Sequence, residues 1–404
     1  MKLPALVLTG LLVLSLPLRA ESLADLFEKA WQRAPQAALA GARQETVRAG
    51  QEAAGALFPE APSIGLLHTS DRATENQGRR EEELELSLPL WQWGQKSAAR
   101  QAAQALAGEQ EAAIGADRLA LAGELRRSLA ALREARAAAE LAREQARIAT
   151  ELEADVARRV KVGDLARSDL LLARQEALSS QGEAARLEAE LAQARQQWRL
   201  LTGGDALPDP LEEQPAEGVP GNAPQAYPEA HPEFQAGARR LALSQAEFEL
   251  ARASRRGAPS LELSYTRGRD DFAAPRDAAV KVGIRIPLDS AAVSQPRLAA
   301  ANQARIQAEA EQLRRQAELP GRIDSARARL AAADTAARLA REGATLAEER
   351  RTLLQRAFQL GELGFADYQR VLAQTHAARL GAALADIRRA SAIADLNQAL
   401  GKLP

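Results

Sequence analysis

Hydrophobic positions along this chain follow two spacings. In two places they recur at every second residue. Leu84, Leu86 and Leu88 alternate with Glu83, Glu85 and Ser87, and Val280, Val282, Ile284 and Ile286 alternate with Lys281, Gly283 and Arg285. Each run follows a shorter alternating one, at Ser63–Leu67 and at 260–266. The pattern predicts two β-hairpins, each with one apolar and one wet face. Elsewhere the spacing is helical. The first half reads as a helix from Ser22 to about Leu57 with a kink site at Ala34-Pro35, then strands at Ser63–Leu67 and Glu81–Leu90 around a polar loop from Thr69 to Arg80. A long helix from Lys96 to Val160 follows, roughly 97 Å at 1.5 Å per residue, and a shorter one from Leu165 to Leu201. After a Pro- and Gly-rich linker at 204–232, the second half gives a helix at 233–256, strands at 260–266 and 278–288, a long helix at 292–358 and a final helix ending at Gly401. Pro320 is expected to kink the second long helix, because it removes one backbone hydrogen bond.

The halves share a signature. Arg158 matches Arg356, Gly163 matches Gly361, Asp164 matches Glu362 and Asp169 matches Asp367, always 198 positions apart. Each segment lies between two helix-forming stretches. A glycine followed by an acid is what a tight turn between antiparallel helices needs: glycine takes the left-handed backbone ending one helix, and polar residues cap the next. Pro35 with Pro232 and Ala61-Pro62-Ser63 with Ala258-Pro259-Ser260 pair at an offset of 197, and Leu88-Pro89-Leu90 with Ile286-Pro287-Leu288 at 198. A unit near 200 residues is too long for a solenoid repeat and predicts a duplicated half-molecule, residues 21–203 and 233–404.

In each half the two shorter helices together match the long one, so they are expected to stack end to end along it. Leu339, Leu346, Leu353 and Leu360 recur every seven residues, with Leu141, Ile148 and Val162 at matching positions. Such a repeat on Ala-rich helices predicts coiled-coil-like lateral packing.

Composition narrows the class. Apolar residues make up 46% and aromatics only 3%, the balance of long helices rather than of a mixed globular enzyme. The formal charge of −1 favours no nucleic-acid partner. With no cysteine, disulfides, thiolate metal sites and cysteine nucleophiles are excluded. Residues 1–20 read as a cleavable export signal, with Lys2 at the positive end, Leu3–Leu16 as the apolar core and Leu18-Arg19-Ala20 as the cleavage site. No later stretch is apolar enough for a membrane helix.

The strands suggest another route through a bilayer. Each has about the length of a tilted membrane strand, with one face suited to lipid and one to water. Four strands cannot close a barrel, for which about eight are needed, and open edges are not tolerated in hydrocarbon. Several chains must then share one barrel, and three copies would give twelve strands. The plain alternative is two soluble hairpins packed on helices. The expected fold class is thus mainly α with a small β part: long coiled-coil-like helical hairpins plus four strands per chain, internally duplicated, contributing to a trimeric 12-stranded membrane β-barrel.

The export signal, duplicated halves, two strands per half, a long helix after a Pro-Leu element and Gly-acid tips six residues before an Asp together resemble the outer-membrane efflux protein (TolC-like) family. Pro35 and the run from Leu88 to Arg100 resemble most its heavy-metal cation efflux (CzcC-like) branch. The resemblance implies a homotrimer in the outer membrane of a Gram-negative bacterium, in contact with outer-membrane lipid and extended by a helical tunnel through the periplasm. It implies docking of the tips, at Arg158, Gly163, Asp164, Arg356, Gly361 and Glu362, to a periplasmic adaptor (membrane fusion) protein that links the channel to an inner-membrane RND-type pump. It also implies that Asp169 and Asp367 help close the periplasmic entrance. Some relatives carry a second aspartate three residues on, where this chain has Arg370, one turn along the same helix face as Asp367. Many relatives also begin the mature chain with a lipidated cysteine; this one would begin at Glu21, so no lipid anchor is expected.

No catalytic chemistry is expected. His68, His231 and His376 are scattered without metal-ligand spacing, and no nucleophile–base pair or phosphate-binding glycine loop is present. Neither a metal site nor a cofactor is expected. Arg158 and Arg356 also suit helix C-termini, as Asp169 and Asp367 suit first turns. The run Glu81-Glu82-Glu83-Glu85 could attract cations or serve as an ordinary charged face. The leading function is a passive exit duct of a tripartite efflux system whose cargo, heavy-metal cations by the resemblance to that branch or else drugs, is selected by the pump rather than by this chain; the alternatives are a type I protein-secretion duct and a periplasmic coiled-coil scaffold that never enters a bilayer.

Overall fold

The computed structural model describes residues 21–208, 212–216 and 229–404. The expected export signal and much of the linker lie outside these residues.

Helix α1 (Leu23–Arg33) begins where the Ser22 hydroxyl accepts the Asp25 amide at 3.1 Å and the Asp25 carboxylate accepts the Ser22 amide at 3.0 Å. This reciprocal cap satisfies donors that the first turn leaves open. Ala34-Pro35 gives a break rather than a kink: Ala34 is extended at φ −69°, ψ 139°, and Pro35 is the first residue of α2 (Pro35–Gly55). Proline disfavours helical backbone in the residue before it and fits the first helical position. Strands β1 (Ser63–Ser70) and β2 (Arg80–Pro89) follow, then α3 (Gln95–Lys161) and α4 (Arg167–Thr202). The order recurs with α5 (Pro232–Ala253), β3 (Ser260–Arg269), β4 (Asp277–Arg285), α6 (Ala291–Gln359) and α7 (Phe365–Ala399). Helix α6 continues through Pro320, so the lost hydrogen bond does not end it.

The strands form one antiparallel sheet in the order β1-β2-β3-β4. Strand β1 runs three residues past Leu67, because His68, Thr69 and Ser70 pair with Glu82, Glu81 and Arg80. Strand β4 stops at Arg285, paired with Ser260, the first residue of β3, so the expected continuation to Leu288 has no partner. Register puts three apolar rows on one face: Leu88, Leu261 and Ile284; Ile64, Leu86, Leu263 and Val282; Leu66, Leu84, Tyr265 and Val280. The other face carries Glu81, Glu83, Glu85, Glu262 and Lys281. Glu83 and Glu85 are half-buried while Leu66 is 84% exposed. Side chains therefore crowd on the acidic face and splay on the apolar one, as on a sheet curled acid side inward.

Both α2 and α4 lie along α3, and both α5 and α7 lie along α6, as end-to-end stacking requires; α3 also packs on α5 and α7. At the level of α1, Leu26, Phe27, Leu121, Leu125, Leu191 and Trp198 form the main core, and the indole Nε1 of Trp198 donates to the Ala206 carbonyl at 2.9 Å. Beside it, buried Arg126 makes a two-pronged bond to Glu213 at 2.7 and 2.8 Å and donates to Gln398 and to the Lys402 carbonyl. One guanidinium thus fastens linker and C-terminus to α3. Among the described residues no helix is long and apolar enough to cross a membrane.

The seven-residue leucine repeat is used differently from the expectation. Leu339, Leu346, Leu353 and Leu360 are 54–75% exposed, and Val162 is 79% exposed, whereas Leu141 is half-buried and Ile148 packs against the core near the tips as expected. Among the described residues helix α6 touches only α5 and α7, so this stripe has no partner among them.

Candidate functional site at the hairpin tips

Each hairpin turns as its glycine dictates. Gly163 has φ +84° and Gly361 φ +79°. The Asp164 amide reaches back to the Arg159 carbonyl at 2.9 Å, and the Glu362 amide to the Ala357 carbonyl at 2.9 Å, closing the carbonyls at both helix ends. No heavy atom lies within 4 Å of where a Cβ would stand at either glycine, so the requirement is one of backbone conformation alone.

The charged residues split into local pairs. Arg158 bonds Asp155 at 2.9 Å, and Arg159 bonds Asp164 at 2.8 Å across the turn. The Asp169 carboxylate accepts the Ala166 amide at 3.3 Å, which makes it a cap for α4. Asp367 pairs with Arg370 at 2.9 Å in the open. Arg356, Gly361 and Glu362 are exposed at the second tip, and Gly163 and Asp164 at the first.

Sequence reasoning missed what joins the tips. Phe358 stacks on Tyr368 at 4.7 Å and meets Phe365 at 6.1 Å, in a cluster with Val156, Ala173 and Leu372. The Arg159 guanidinium, from the first hairpin, lies 5.1 Å over the Phe358 ring. In a chain with 3% aromatics, three within eleven residues at one tip were the available signal.

Above this pin, α7 floors a groove of about 890 Å³ between α3 and α6. Arg379 of α7 holds Glu144 of α3 by two bonds, 3.0 and 2.9 Å, and Arg351 holds Glu348 within α6. The hydrogen bond from Arg379 keeps the Glu144 carboxyl below its ordinary range, and that from Arg351 does the same for Glu348. His376 lies in the same groove and is held below its ordinary value, first by burial and then by Arg379. His231 instead caps α5 with Nδ1 accepting the Glu233 amide at 3.2 Å, and His68 sits on the sheet opposite Glu82. Among the described residues no group of three His, Asp or Glu side chains is arranged to hold a metal ion.

Two long helical hairpins below a curled four-stranded sheet, one face apolar and the other acidic, make a fold that the comparisons also find in outer-membrane channels. Residues 26–204 match the model of the outer membrane efflux protein family. A membrane protein from Pseudomonas aeruginosa superposes with TM-score 0.75 at 19% identity, covering 93% of this chain and 92% of that one. The outer membrane protein VceC of Vibrio cholerae gives 0.72 at 19% identity, over 93% and 95%. The Neisseria gonorrhoeae MtrE outer membrane channel, in its open state, gives 0.73 at 18% identity, over 94% and 88%. No curated protein sequence matches. By sequence over residues 26–204 and by fold over nearly its whole length, the chain resembles the outer membrane efflux protein family.

Proposed function

We infer that the chain is one third of a passive exit duct in the outer membrane of a Gram-negative bacterium, with its helices extending into the periplasm. One observation carries the reading: every layer ends on the same two sides. In the sheet β1 and β4 lack an outer partner. Beneath it the helices run α2-α3-α5-α6, and at the hairpins α4-α3-α7-α6. Thus β1, α2 and α4 form one edge, and β4 and α6 the other. The α4 edge exposes Leu171 and Leu178, and the α6 edge its leucine stripe. Joined head to tail, such edges generate a ring when the rotation closes. Three copies supply twelve strands, an even number wide enough for a water-filled lumen, and the two halves, 21–203 and 233–404, act as duplicated staves.

Within that duct the tips, at Arg158, Gly163, Asp164, Arg356, Gly361 and Glu362, receive a periplasmic adaptor coupled to an inner-membrane RND-type pump. Asp169, Asp367 and Arg370 flank the entrance. Heavy-metal cations are the cargo, a reading supported by the run from Leu88 to Arg100 and by the acidic inner face of the sheet. The duct itself catalyses nothing. Membrane fractionation with native mass measurement tests the assembly: an outer-membrane trimer is expected, and a soluble periplasmic monomer would refute it. Deleting the gene should sensitise cells to divalent metals; sensitisation to organic drugs alone would overturn the cargo.

A further inference from the structure

The apolar face of the sheet ends in a charge pattern that a water-filled duct does not require. Past the row Leu66, Leu84, Tyr265 and Val280, the next row on the same face is His68, Glu82, Arg267 and Ala278, and the one after is Ser70, Arg80 and Arg269. Arg72 and Arg276, from the adjoining loops, complete a cleft of about 350 Å³ with these side chains. Five arginines line it against one carboxylate, Glu82. Among the described residues no acid lies in ion-pair range of Arg72, Arg80, Arg267 or Arg276. Two neighbouring acids are engaged elsewhere: Asp71 accepts the Gln77 and Gly78 amides, and Asp271 the Ala273 and Ala274 amides. Arg269 is held in place by the Gly78 carbonyl at 3.1 Å and by the Phe272 ring.

Position decides the ligand. All helices join the sheet at its opposite end, beside Ser63, Pro89, Ser260 and Arg285, so the arginines stand at the outer rim. They stand on the lipid side, because they continue the apolar rows, while the acids Glu81, Glu83 and Glu85 turn to the other face. Guanidinium groups take phosphate oxygens two at a time, and arginine is favoured wherever planar recognition of phosphate matters.

We propose that this rim is a binding site for the phosphate groups of an outer-leaflet glycolipid of the lipid A type. Arg80 and Arg267 clasp one phosphate from adjacent strands, Arg72 and Arg276 close over it, and the acyl chains lie along Leu66, Leu84, Tyr265 and Val280. The proposal rests on the membrane reading above.

The test uses the purified full-length assembly, with lipid A as probe and native mass spectrometry as readout. R80Q/R267Q removes two exposed side chains that have no ion-pair partner among the described residues, and K281Q on the other face is the control. Each arginine beside an anionic lipid surface contributes about fivefold in affinity, so the double variant should retain lipid A about thirtyfold less well. K281Q and the parent should retain it equally, and zwitterionic phosphatidylcholine should bind all three alike. R80K/R267K, which keeps charge but loses the fork, should fall between. Equal retention by parent and R80Q/R267Q, or equal binding of lipid A and phosphatidylcholine by the parent, would overturn the site while leaving an inserted channel intact. A parent protein absent from the membrane fraction would instead overturn the exit-duct reading.

Discussion

Replacing Phe358 by Ala should uncouple the two hairpin tips. The ring is 4% exposed and is touched from both hairpins, by Tyr368 and Phe365 on one side and Arg159 on the other. Truncating a buried Phe costs about 3–5 kcal/mol, and the cation–π contact adds about 0.5–1 kcal/mol. A total of about 4 kcal/mol corresponds to a roughly thousandfold rise in local opening. The loss should stay at the tips, because the core around Trp198 and Phe27 is separate. Hydrogen exchange of the assembled protein gives the readout. Peptides covering 150–173 and 350–372 should both lose protection, and those covering 119–132 should not. F358L, which keeps much of the volume, should change little. Acceleration confined to 350–372 would refute the reasoning, since it would mean that the ring holds only its own hairpin.

Four further outcomes follow. Val at both Gly163 and Gly361 must adopt the left-handed backbone at about 1–2 kcal/mol each, so adaptor crosslinking should vanish while trimers persist; undiminished crosslinking would remove the tips as the docking surface. R126A leaves the half-buried Glu213 carboxylate with only the Asn397 amide in place of the guanidinium and should destabilise the protein by about 3–5 kcal/mol, seen as a lowered melting temperature; an unchanged melt would count against the Arg126–Glu213 pair. Because the folded-state pKa of Glu144 lies below its ordinary 4.5, its bond to Arg379 contributes fully above that value and is lost as pH falls through the depressed one; E144Q should melt with a shallower acid dependence than the parent, and parallel curves would refute the link. In planar bilayers D169A should weaken block by divalent cations and R370A should raise conductance; parent-like behaviour in both would leave Asp169 as a helix cap and Arg370 as one half of a surface ion pair.

Elements set by local chemistry were legible in the sequence. The tip glycines, the alternating strands and the long Ala-rich helices need only a few neighbouring residues to declare themselves, and they fall where expected apart from strand ends shifted by up to three residues. What failed depended on partners distant in sequence. Spacing showed that Leu339 to Leu360 form a stripe but not that the stripe faces away from the chain, since the period is the same for contacts within and between molecules. Arg126 looked like any surface arginine of a charged helix, because Glu213, Gln398 and Lys402, which bury it, come from the linker and the C-terminal end. Asp169 and Asp367 were legible as a matched pair, yet one caps a backbone amide and the other holds Arg370. Their shared position did not disclose their different partners.

In the proposed trimer, the paired free edges also govern how the ring can come together. Each chain offers one socket and one plug, so two joined copies still present a complete open socket and plug, with as much uncovered leucine as a single copy. The third copy makes two contacts on arrival, and the second of these needs no further loss of translational freedom. Intermediates are therefore scarce at equilibrium, and chains partition between singles and closed rings. A variant that weakens only one side of the edge, such as Leu346 on α6, disables all three joints at once, because symmetry repeats the defect at every seam. Mixed with parent chains, even one such copy leaves its ring with a faulty seam, so a minority of defective chains spoils a majority of ducts.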